Sequence, residues 1–155
     1  MSFRITGLSP EPFLPLYGLS DAALRDRGVV RRAVDISPGY PERIELRDAA
    51  VGENLLLLNH TYQPADSPYH GRHAIFIREG AREAASFTDD VPDVMRRRTL
   101  SIRAFNADHF IIMADLVAGA EADTAIERLL ALPGAAYLHA HYAKYGCFAA
   151  RIDPV

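Results

Sequence analysis

The stretch AAYLHAHYAKYGCFAARI, residues 135–152, decides how this chain is read. Two alternating runs, Ala135 to Tyr142 and Cys147 to Ile152, flank a short turn that contains Gly146, which is the pattern of an antiparallel hairpin. Successive side chains on a strand point to opposite faces, so His139 and His141 share a face with Tyr137, while Leu138, Ala140 and Tyr142 take the other. Matching the apolar faces of the two strands places Leu138 and Ala140 with Phe148, Ala150 and Ile152. In that register Cys147, Ala149 and Arg151 lie beside the two histidines. It needs an odd-numbered loop, with Gly146 in the left-handed position.

The same period of two recurs toward the N-terminus. Thr99 to Phe105 and Phe110 to Leu116 read as a second hairpin around Asn106-Ala107-Asp108-His109, residues that tolerate turn geometry. Leu55 to Tyr62 reads as a central strand, His73 to Arg78 as a half-buried one and Phe3 to Thr6 as a short first strand. Val29 to Ile36 and Arg43 to Leu46 are further strand candidates divided by a Ser37-Pro38-Gly39-Tyr40-Pro41 turn, and Arg31 and Arg32 mark the first as an edge.

Helical signals are fewer. From Glu121 onward Ala122, Ala125, Ile126, Leu129 and Leu132 fall on one face, with Pro133-Gly134 as the stop. Ser20 offers an N-cap for a helix that Gly28 ends. Pro92 suits the first position of a short helix whose Arg96, Arg97 and Arg98 read as a solvated face. Many strands with few crossover helices predict an α+β domain spanning residues 1–155 as one unit, with a mainly antiparallel sheet and two or three short helices.

Composition narrows the partners. Hydrophobic residues make up 49% of the 155 positions and charged residues 24%, far from the composition of chains that stay disordered. A net charge of −3 gives no broad field for nucleic acid or an anionic membrane, and no apolar run approaches the roughly 20 residues of a membrane-spanning helix. The N-terminus carries no signal-like apolar segment, and the lone Cys147 cannot form an internal disulfide, so the expected compartment is the cytoplasm. Lys+Arg total 17, yet Lys144 is the only lysine. A surviving lysine can mark a place where a rigid, permanently charged guanidinium would not serve, although one can also remain by chance.

The chemistry concentrates in the opening stretch. His139, His141, Lys144 and Cys147 are the candidate catalytic residues: a thiol near cations can act as a nucleophile, a redox sensor or a metal ligand, whereas a small buried cysteine can equally be inert packing. Asn59, His73, Arg103 and Arg151 are candidate ligand-binding residues on neighbouring strands. The arginines suit a carboxylate or phosphate, and a solvent-facing sheet would accommodate them just as well. His-x-His needs a third ligand such as His73 before it holds zinc or iron, so no metal is assigned. No nucleophile elbow, phosphate-binding loop, dinucleotide fingerprint or Cys-x-x-Cys is present, and no cofactor is implied.

Three segments taken together carry a resemblance: Leu55 to Pro64, Ser67-Pro68-Tyr69 through Arg72-His73-Ala74-Ile75-Phe76, and Tyr137-Leu138-His139-Ala140-His141 through Gly146-Cys147-Phe148-Ala149-Ala150-Arg151. The chain resembles the bacterial family catalogued as domain of unknown function 1203, over nearly its whole length. The resemblance implies membership and no activity. The leading functional expectation is therefore a small-molecule-binding domain or small enzyme taking a small anionic molecule, its pocket floored by the histidine face. There His139 or His141 would be the acid/base, Cys147 or Lys144 the nucleophile or proton donor, and Arg103 or Arg151 the anion clamp. The alternative is an interaction or homo-oligomerisation module, for example a homodimer, in which that face is the interface.

Overall fold

The period-two segments pair into two antiparallel sheets. The computed structural model describes every residue from Met1 to Val155. The larger sheet contains β1 (Phe3–Thr6), β5 (Ser86–Thr88), β6 (Thr99–Phe105), β7 (Ile111–Ala118), β8 (Tyr137–Tyr142) and β9 (Phe148–Pro154), in the order β5-β1-β9-β8-β6-β7. The smaller contains β2 (Val30–Ala33), β3 (Asn54–Gln63) and β4 (Gly71–Arg78), with β3 in the middle and β2 at an edge. Three short α-helices, α1 (Asp21–Asp26), α2 (Asp93–Arg96) and α3 (Ala122–Leu130), complete the expected α+β class together with two 3-10 turns.

Helix α3 carries the main core. Its buried stripe of Ala122, Ala125, Ile126 and Leu129 packs with Leu100, Ile102, Leu138, Ala140 and Ile152 of the larger sheet, and burying each Leu or Ile contributes about 1.5–3 kcal/mol. The opposite face of that sheet meets the smaller one, where Tyr62 of β3 stacks on Phe148 of β9 with ring centres 5.8 Å apart. Every residue of β8 is consequently buried. Ser20 caps α1 by accepting a bond from the Ala23 amide at 3.1 Å, as expected. Pro92 is the residue before α2 and not its first, and the three-residue strand β5 has no counterpart in the sequence reading.

Arg43 to Leu46 form no strand. Residues 41–48 make a loop, closed by a bridge between Pro41 and Asp48, that covers the otherwise free edge of β4. Inside it the Glu42 carboxylate, fully buried, accepts bonds from the amides of Ile44, Glu45 and Arg78. Burial pushes its pKa up while those amides pull it down. The loop also ties the sheets together: Arg43 N–H donates to Phe76 at 3.1 Å, while its carbonyl accepts from Leu8 at 2.8 Å and that of Ile44 from Ala85 at 2.8 Å. Gly7 permits the approach, because a Cβ there would sit 2.0 Å from the Ile44 oxygen.

Candidate functional site

The C-terminal hairpin forms as read, and Arg151 lies beside His139 as expected, but the faces change partway along it. Leu138, His139 and Ala140 lie opposite Ile152, Arg151 and Ala150, and then His141 lies opposite Phe148. Ala149 is the extra residue of a bulge, which puts two residues opposite one and reverses the alternation beyond it. Phe148 therefore joins the histidines, while Cys147 pairs with Tyr142 and packs in the core cluster on the other side. The loop is residues 143–146, and Gly146 takes the expected left-handed conformation with φ 77°. Matching apolar faces failed as an argument because both faces of β8 are buried, so hydrophobicity does not distinguish them.

On the histidine face His139 and His141 are 3% and 1% exposed. The edge of His141 meets the Tyr62 ring at 4.9 Å, and His139 packs 4.8 Å from Phe105 and 5.2 Å from Phe148, measured between ring centres. His141 Nδ1 donates to the Gly146 carbonyl at 3.0 Å, which leaves Nε2 to accept from Arg103 at 3.4 Å. Burial pushes the His139 pKa down to about 3, helped by the neighbouring His141, Arg151 and Arg103. Burial likewise takes His141 to about 4, against the Gly146 bond that supports its charged form. Both rings are neutral near pH 7, and His139 Nδ1 has no hydrogen-bond partner.

A hollow of about 330 Å³ opens beside His139, bounded by His60, Tyr62, His109, Tyr137 and Arg151. The Tyr137 hydroxyl accepts from Gln63 Nε2 at 2.9 Å and donates to His109 Nδ1 at 2.7 Å. Arg151 lies over the Tyr137 ring at 3.9 Å and pairs with Asp153 at 2.9 Å. Tyr137, Gln63 and His109 are polar partners that the sequence reading missed, since their meeting depends on how the two sheets pack.

Beyond the bulge a second and larger cleft, about 660 Å³, lies where β4, the hairpin turn and the segment after α2 converge. Arg43, Arg97, Arg98 and Lys144 line it with His73, Tyr142 and Cys147, and no acidic side chain does. Arg43 is 2% exposed; it donates to the Phe148 carbonyl at 2.7 Å, to the Pro41 carbonyl and to Cys147 Sγ at 3.1 Å. Tyr142 lies under two guanidinium groups, Arg43 at 5.0 Å and Arg98 at 5.5 Å from the ring centre. Burial pushes its hydroxyl up to about 12 against the pull of those cations, and that hydroxyl has no partner. Arg98 does not belong to a freely solvated face: it grips Asp48 through both nitrogens, at 2.6 and 3.1 Å, and Arg97 reaches the same carboxylate at 3.5 Å.

The eight candidate residues thus divide. His139 and Arg151 border the hollow, with His141 and Arg103 adjoining it; His73, Lys144 and Cys147 border the cleft. Asn59 borders neither and accepts a bond from Arg72 on the exposed side of β3. Arg43, the most deeply placed cation, was missed because in sequence it looks like one more alternating strand residue. No group of three or more His, Cys, Asp or Glu side chains is placed to hold a metal ion, and no helix is long and apolar enough to cross a membrane.

Comparison with known proteins adds a family and no activity. No curated protein and no solved structure matches the chain. The family model described as "Protein of unknown function (DUF1203)" matches residues 39–153, a span that holds every residue lining the cleft. The chain belongs to the DUF1203 family.

Proposed function

We propose that this protein binds a small anion in the cleft at the junction of its two sheets. The observation that carries the reading is Arg43, a buried guanidinium that forms no ion pair: it donates only to two carbonyls and a thiol and lies over the Tyr142 ring. A buried charge without a counter-charge costs several kcal/mol, so a site of this kind favours an anion that supplies one. Lys144, exposed and unpaired, and Arg97 line the same cleft, and the Asp48 carboxylate is already engaged by Arg97 and Arg98. Guanidinium groups can grip a carboxylate or phosphate through two parallel bonds. Burial holds the histidines beside the hollow neutral near pH 7 and makes them weak bases, so binding in the cleft is favoured over acid/base chemistry in the hollow.

Calorimetric titration with inorganic phosphate and with succinate at low salt tests this. Saturable binding is expected, weakening as salt rises, and about tenfold weaker in Lys144→Ala. That variant should melt within about 0.5 kcal/mol of the parent, because the side chain is exposed. Heats no larger than dilution for both probes, or equal affinity in Lys144→Ala and Arg97→Ala, would reject the reading.

A second reading rests on β7. The histidine face cannot be a subunit interface, since β3 already covers it, but the edge strand β7 exposes Ile112, Met113 and Leu116 beside Phe110. Antiparallel pairing of two copies along this edge would cover them. Light scattering that gives one chain mass at all concentrations would remove it.

A further inference from the structure

We infer that Cys147 is a nucleophile that the cleft directs toward small electrophiles carrying a carboxylate or phosphate. The inference rests on the anion-binding reading and goes beyond it by naming a reacting atom and a substrate class. Cys147 is the chain's only cysteine and, although 9% exposed, lines the cleft together with Lys144 and Arg97. Its sulfur receives a bond from Arg43 Nη2 at 3.1 Å, so the group that would hold an anion also touches the group that would attack it. A second and independent feature points to a guest: Tyr142 borders the same cleft, is 4% exposed, and has a hydroxyl without a partner. A buried hydroxyl left without an acceptor is unfavourable, and an oxyanion that reached it would supply one.

The chemistry balances without a cofactor. The thiol proton leaves to solvent; the thiolate attacks the electrophilic carbon of the bound anion, an S–C bond forms, and the bond from that carbon to its leaving group breaks. The guanidinium of Arg43 stays protonated throughout and holds the anionic end. Cations around a cleft raise the local concentration of an anionic reagent by about tenfold or more, and that gain does not depend on how much of the thiol is ionised.

Alkylation by a charged and a neutral reagent isolates this gain. Both iodoacetate and iodoacetamide need the thiolate, so the ratio of their second-order rate constants cancels its population. Glutathione supplies the reference ratio, in which the carboxylate of iodoacetate is repelled by the attacking sulfur. Native protein is expected to favour iodoacetate by about tenfold or more over that reference, with the adduct on Cys147 by mass, iodide released, and the preference reduced by inorganic phosphate and in Lys144→Ala. A ratio equal to that of glutathione, or no adduct until the protein is unfolded, would overturn the inference. If either occurs while calorimetry still shows phosphate binding, the thiol assignment falls alone; if phosphate binding is also absent, the anion reading falls with it.

Discussion

Two neighbouring regions along the C-terminal hairpin put buried basic side chains to opposite uses. On one side His139 and His141 are enclosed by Tyr62, Phe105 and Phe148, stripped of charge by burial and covered by the chain's own second sheet. Toward the hairpin turn Arg43 is as deeply buried, yet its guanidinium has no acid paired with it, in a cleft open to solvent. A histidine can leave its proton behind when it enters a core, whereas an arginine cannot. Uncompensated charge, more than a rare or reactive residue type, is therefore the ground on which we propose binding in one of these regions and not in the other.

The sharpest test of the contrast is acid. His139 and His141 have folded pKa values near 3 and 4 against 6.5 in the unfolded chain. Between those limits the unfolded state binds more protons, so stability falls as pH drops below about 6.5, with a slope that reaches about 2.7 kcal/mol per pH unit for two histidines. Above pH 7 this contribution is fully present. The charges facing them, Arg103 and Arg151 on the larger sheet, His73 on β4 and Arg43 on the loop, deepen the depression. Carboxylates lowered by ion pairs, such as Glu53 at about 2, weaken the fold only at lower pH. Urea unfolding at pH 7 and pH 5 measures the effect, and equal midpoints would show that the histidines are not buried as described.

A smaller loss is expected from Gly7→Ala, which forces a methyl against the Ile44 carbonyl on the loop that carries Arg43. About 3 kcal/mol of stability should go, and phosphate binding should weaken with it, because the loop shifts. Retained binding at full stability would separate the cleft from the loop. Smallest, and opposite in sign, is His139→Leu. Replacing a ring whose Nδ1 lacks a partner with an apolar side chain of similar size should leave stability unchanged or raise it by about 1 kcal/mol. A loss above that size would mean that the ring makes a bond the hollow conceals, and the hollow would then rival the cleft.

What the sequence revealed and what it hid follow from the same physics. The α3 face and the strand β6 of the second hairpin were readable because one side of each is core and the other is not, so periodicity carries the signal. The strand β8 defeats that logic, being buried on both faces, and the bulge at Ala149 is silent in composition. Arg43 and Glu42 alternate like strand residues, yet they build a loop whose shape comes from a buried carboxylate gathering three amides. Cys147 and Lys144 were grouped in the sequence with the histidine pair as candidates, whereas their meeting with His73 and Arg43 in one cleft required knowing how the two sheets meet.

The bulge also fixes which changes of length the hairpin can absorb. Loss of Ala149 would turn the irregular ladder into a regular one while leaving Phe148 opposite His141 and Cys147 beside Tyr142. Loss of Phe148 or Ala150 would change the residue that fills a packed position. Along β9, relatives that differ by a single deletion are therefore expected to carry it at residue 149, where the two compartments survive a shortened chain.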